Sequence, residues 1–116
     1  MTISGLGYAL LAGDAGFPAE DAMHGRLPRV DLLKVGHHGS AGSTGDAWLA
    51  ALTPAVAVIS LGRNEYGHPS PATVARLVAH GAAVHRTDRE GIITVTTDGR
   101  RMTVRSRAGA VGYDVR

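Results

Sequence analysis

Residues Ala55–Leu61 read AVAVISL, an almost unbroken apolar run of β-branched and small residues. The run has strand length and no polar alternate, so it predicts a strand covered on both faces, as in a parallel sheet. Working outward, Val30–Gly36 (VDLLKVG) and Gly7–Ala12 (GYALLA) are further short apolar strands. Between and after them the periodicity turns helical. Pro18 opens a helix to about Leu27, with proline in the first turn. Thr44 or Gly45 caps a second over Asp46–Leu52, which Pro54 stops. Ser70-Pro71 opens a third that runs to His80, where Val74, Leu77 and Val78 recur at i, i+3, i+4 and Gly81 ends it. Ala82–Arg86 is a short strand. Gly91–Thr97 and Arg101–Arg107 form a hairpin at Asp98-Gly99, and the tail 108–116 is expected to be loose. Strands alternating with helices, then a hairpin, predict an α/β layered fold with a mixed sheet. Three short helices cover only one face of such a sheet, and nothing in the pattern says what covers the other.

With 116 residues the chain makes one domain and no second. Apolar residues at 44% and charged residues at 19% exclude disorder. No apolar run approaches the ~18–20 residues that span a bilayer, and Met1–Gly13 lacks the basic and long apolar regions of a signal peptide. The absence of cysteine excludes disulfides and thiolate metal sites. Sixteen glycines are about twice the usual share, so the chain makes many tight turns or close backbone approaches.

The net charge of +2 is mild, but its placement is uneven: Arg100, Arg101, Arg105, Arg107 and Arg116 face one acid, Asp114, in the last stretch. On a strand, Arg101, Thr103, Arg105 and Arg107 share one face and Met102 and Val104 the other. Such a ridge either follows a phosphate backbone or is a solvated outer strand whose charges prevent edge pairing.

Asp14, His37, His38 and His68 sit where predicted strands give way to loops, the usual address of sites in α/β sheets. Asp and His there suit Zn²⁺ or Mn²⁺. They are also ordinary hydrogen-bonding loop residues, and spacing alone does not separate the two readings. Neighbours on an extended chain point opposite ways, so only one of His37 and His38 reaches a given ion.

Four strings occur in order: LLAGD (Leu10–Asp14), LLKVGHHGS (Leu32–Ser40), AVISLGRNEYGHP (Ala57–Pro69) and HRTDREGIITV (His85–Val95). Together they resemble the metallo-β-lactamase-like domain of ComEC-type DNA-internalisation competence proteins, over about Gly7 to Arg105. The resemblance implies the C-terminal half of a two-metal hydrolase fold. It implies that Asp14 is a bridging ligand, that His37-His38 supplies at least one ligand, and that His68 is a ligand or a transition-state contact. Asp14, His38 and His68 are thereby the implied catalytic set. Ser40, Asn64 and Tyr66 fall in the same strings as phosphate-pocket or loop residues, and Arg101 and Arg105 are further phosphate candidates. His24 and His80 read as surface residues, His85 as a packed strand residue and Asp88 as a turn former.

The chain departs from that family in one respect. The HxHxDH segment that supplies most of the family's ligands is absent, and no HxH occurs anywhere. Two metals need roughly seven or eight donors including water, against three or four here. The expectation is therefore a partial domain, a soluble fragment of a membrane-anchored parent, weak or inactive alone on DNA. Two alternatives stand beside it. One is a non-catalytic assembly half-domain that self-associates, or complements a missing N-terminal half, through an open apolar sheet face. The other is a metallohydrolase for another substrate on the same scaffold.

Overall fold

The computed structural model describes residues 2–6, 9–11, 16, 18, 20, 22, 29–35, 39, 42, 44–61 and 69–115, with the backbone alone for 2–6 and 11. In chain order these form β1 (Thr2–Leu6), β2 (Ala9–Leu11), β3 (Leu32–Lys34), α1 (Asp46–Leu52), β4 (Val56–Ile59), α2 (Pro71–Ala79), β5 (Ala83–Arg86), a one-turn α3 (Thr87–Glu90), β6 (Thr94–Asp98), β7 (Arg101–Ser106) and β8 (Gly109–Asp114). Two four-stranded sheets result. One is all parallel in the order β2-β3-β4-β5; the other has the order β1-β6-β7-β8. In the second, β1 is parallel to β6 while β6-β7 and β7-β8 are antiparallel.

The architecture is a layered α/β fold, and the second sheet covers the face that the helices leave bare. β4 is buried at all four positions. Its alternate residues serve two cores. Ala57 and Ile59, with Leu33 of β3, pack against Trp48, Leu49 and Leu52 of α1 and Leu77 of α2. Val56 and Val58, with Leu32, pack against Ile93, Val95, Met102 and Val104 under the second sheet. An apolar run without alternation is what this double burial requires.

α1 starts at Gly45 without a side-chain cap of its own and ends at Thr53, whose φ of 42° turns the chain before Pro54. α2 has proline in its first turn and buries Thr73 and Leu77, while Val78 stays 60% exposed. The apolar face is thus narrower than Val74, Leu77 and Val78 together suggest. Pro18, Glu20 and Ala22 of the expected Pro18–Leu27 helix are helical, and the Glu20 N–H donates to the Gly16 carbonyl at 3.0 Å.

Three expectations are corrected. The tail is not loose, because Gly109–Asp114 pairs with the whole of β7 from Ser106↔Gly109 to Arg101↔Asp114. Tyr113 and Val115 lie against the inter-sheet core, and that burial holds the strand. Arg107 falls in the turn after β7, where its guanidinium donates to the Arg89 carbonyl at 2.9 Å, so the ridge ends at Arg105. Among the described residues the outer face of the second sheet is not apolar along β6 and β7. In register, Thr94 faces Arg105 and Thr96 faces Thr103 on the side away from the core.

Candidate functional site

β2, β3 and β4 run parallel with Leu11, Lys34 and Val58 in register, so the chain leaves all three at one edge. Parallel α/β sheets bind ligands at this carboxyl edge. Asp14 follows β2, His37 and His38 follow β3, and His68 follows β4. Asp14, His37, His38, Ser40, Asn64, Tyr66 and His68 themselves lie outside the described residues, as does His24. The structure does place Gly39, between His38 and Ser40, Pro69, next to His68, and Gly16, two residues after Asp14.

Gly39, next to His38, has φ +78° and lies against Pro69, next to His68. A Cβ on Gly39 would stand 2.7 Å from Pro69 Cβ and 3.4 Å from Ile59 Cγ2. The left-handed backbone and the close approach both demand glycine here. The Ser70 N–H donates to the Gly39 carbonyl at 2.8 Å, so the described flanks of HHGS and GHP are bonded as well as packed. On the other side, a Cβ on Gly16 would approach the Gly42 carbonyl oxygen to 3.1 Å, which brings the segment after Asp14 against the segment after His38.

Four residues that sequence reasoning did not single out tie this edge together or anchor the chain beside it. The Glu20 carboxylate accepts the N–H groups of both Thr44 and Gly45, the latter at 2.7 Å. Arg76 of α2 donates through Nε to the Thr44 carbonyl at 2.9 Å. The Thr87 hydroxyl accepts the Leu61 N–H at 2.8 Å and donates to the Leu61 carbonyl at 2.7 Å, pinning the chain as it leaves β4. Glu90 organises β5 and the hairpin. It meets His85 Nδ1 at 3.0 Å and accepts the Arg86 N–H and the Ser106 hydroxyl, each at 3.0 Å. Burial by itself raises the Glu90 pKa, but the bonds from His85, Arg86 and Ser106 outweigh it and hold the carboxyl below its usual range.

His85, read as a packed strand residue, is indeed partly buried, and its Nε2 meets the Tyr113 hydroxyl at 2.8 Å. Burial, then the Glu90 charge, raises the Tyr113 pKa. Asp88 lies in the single turn of α3 and pairs with the Arg86 guanidinium at 2.7 and 3.0 Å. That pairing holds its carboxyl below the ordinary value. His80 bonds Asp46 at 3.0 Å and joins α2 to α1. Arg101 and Arg105 stand on the outer face of the second sheet, away from the parallel sheet. Arg101 is paired with Asp114 at 3.0 Å, and Arg105 is exposed on the same face. A groove of about 640 Å³ opens beside Pro69 between α2 and exposed Arg89.

Among the described residues no three His, Asp or Glu side chains gather as a cation site. No described helix is long and apolar enough to cross a membrane.

No known protein-family model matches the chain. It is 41% identical over 87 residues to ComE operon protein 3 of Bacillus subtilis, covering 72% of this chain and 11% of that protein. It is 38% identical over 92 residues to Recombination protein 2 of Haemophilus influenzae, covering 78% and 12%. It is 35% identical over 95 residues to Competence protein ComA of Neisseria gonorrhoeae, covering 78% and 14%. The chain resembles one segment of proteins named for competence and recombination. It spans only 11% to 14% of the length of these curated relatives.

Proposed function

We propose that this chain is a segment of a natural-competence protein acting in DNA uptake, and that it supplies part of a metal-dependent phosphodiester hydrolase site. The names of its relatives support the competence setting. The observation that carries the site is the contact of Gly39 with Pro69 and Ser70 at the carboxyl edge of the parallel sheet. That contact sets the segments bearing His38 and His68 side by side, on the sheet edge where Asp14 follows β2.

Asp14, one of His37 and His38, and His68 together offer carboxylate and imidazole donors, a set that suits Zn²⁺ or Mn²⁺. Three or four donors fall short of a two-metal site, so the remaining ligands come from another segment of the much longer protein. A divalent cation held there supplies charge neutralisation at phosphate and a water of lowered pKa. Asp14 and His38 hold and orient, His68 binds or meets the developing phosphate charge, and Ser40, Asn64 and Tyr66 line the phosphate pocket. Arg89 in the groove beside Pro69 presents a cation to a polyanionic strand.

Metal titration of the purified chain, paired with a DNase assay, tests this. The expected result is uptake of about one Mn²⁺ or Zn²⁺, abolished by Asp14→Ala, His38→Ala or His68→Ala, with little DNA cleavage by the chain alone. Metal uptake indifferent to all three substitutions refutes the ligand assignment. Strong metal-dependent cleavage by the chain alone refutes the shared site.

A further inference from the structure

We propose that Glu20 and Arg76 are positioning residues for the candidate site, fixing the segment that follows His37-His38 from two sides. The inference rests on the metal-site reading above and deepens it. Glu20 is 2% exposed, and a carboxylate so buried persists only when its oxygens are fully bonded. Its two oxygens are satisfied by two consecutive backbone N–H groups, those of Thr44 and Gly45. Thr44 is a fully buried, β-branched residue at φ 63°, a conformation such residues rarely adopt. A backbone of this kind is retained only where its surroundings impose it, and such positions cluster at functional sites.

Here the surroundings are identifiable. Glu20 holds the Thr44 N–H, Arg76 holds the Thr44 carbonyl at 2.9 Å, and the Arg76 guanidinium is itself braced on the Thr73 hydroxyl at 3.2 Å. The two clamps come from the other two arms of the site. Glu20 lies on the helical stretch that follows Asp14, and Arg76 lies on α2, which starts just after His68. Each therefore couples Thr44, four residues after the HHGS string, to an element that follows another expected ligand. Capping of α1 alone does not account for this. A cap needs one acceptor at the helix start, not an arginine from α2 on the carbonyl of a strained residue outside the helix.

The test uses the 116-residue chain and the variants E20Q and R76Q. In E20Q one oxygen still accepts an N–H while the new NH₂ faces the other donor, so volume is kept and the clamp is lost. Two measurements are made: Mn²⁺ affinity by calorimetry, and metal-free amide hydrogen exchange. The expected result is about tenfold faster exchange in the peptide covering residues 36–45, with the β6–β7 hairpin unchanged. Mn²⁺ affinity falls by about 10–100-fold, the range typical of groups that orient metal ligands. R76Q acts in the same direction, and it carries the test if E20Q does not fold. Faster exchange with unchanged Mn²⁺ affinity makes Glu20 a mere helix cap and overturns the proposal. So does unchanged exchange in both variants. A wild-type chain that binds no Mn²⁺ removes the metal reading itself, and the positioning role with it. The wild-type titration alone exposes that failure.

Discussion

Replacing Gly39 by alanine perturbs the contact on which the candidate site depends, and its cost follows from the geometry. The backbone at Gly39 has φ +78°, where a Cβ costs about 1–2 kcal/mol. The added methyl would stand 2.7 Å from Pro69 Cβ and 3.2 Å from Pro69 Cα. Neither atom belongs to a flexible side chain, so Pro69 must retreat, and forced repacking of this kind costs about 1–3 kcal/mol. Together the substitution is expected to remove about 2–5 kcal/mol, a large part of the roughly 5–15 kcal/mol that holds a domain together. With a urea m-value of about 1.5 kcal/mol/M, a loss of about 3 kcal/mol lowers the unfolding midpoint by about 2 M. Gly42→Ala is the matched control, because among the described residues nothing lies within 4 Å of a Cβ there and its φ lies outside the left-handed region. That variant should stay within about 0.5 kcal/mol of the wild type. Equal midpoints for the two variants would refute the claim that Gly39 and Pro69 are held in contact.

Two further outcomes follow from the bonds beside the site. Thr87→Val removes both hydroxyl bonds to Leu61 and leaves its N–H without that acceptor, so urea unfolding should show a loss of about 1–3 kcal/mol. Glu90, held below its ordinary pKa of 4.5, contributes stability that is complete above pH 4.5 and is lost as the pH falls through its depressed value. Glu90→Gln should therefore be less stable at pH 6 and show a shallower loss as the pH falls below 4.5. Parallel acid limbs for the two proteins would show that Glu90 is not so held.

Much of the layering is legible in short stretches. Val56–Ile59 is buried throughout because nothing in AVAVISL offers a solvent face, and α1 and α2 begin and end where Gly45, Thr53, Ser70 and Gly81 allow. β8 is hard to read in the sequence because the alternation of Val111 and Tyr113 is diluted by glycine and alanine and gains meaning only beside β7. β1 is illegible in the sequence for a related reason: it owes its place to pairing with β6, nearly the whole chain away. The candidate ligands were named from strand ends and family strings, and the structure adds the described flanks that draw their segments together.

What the sequence determined by itself is local: which runs are strands, which are helices, where glycine permits a turn, and which loops carry Asp14, His37-His38 and His68. Those follow from periodicity, propensity and backbone sterics, all set within a few residues. Tertiary structure alone decided that a second sheet covers the bare face of the first. It alone made Glu20 a buried clamp on a backbone 24 residues away. Burial and long-range hydrogen bonding are properties of the assembled layers, and no window of sequence contains both partners.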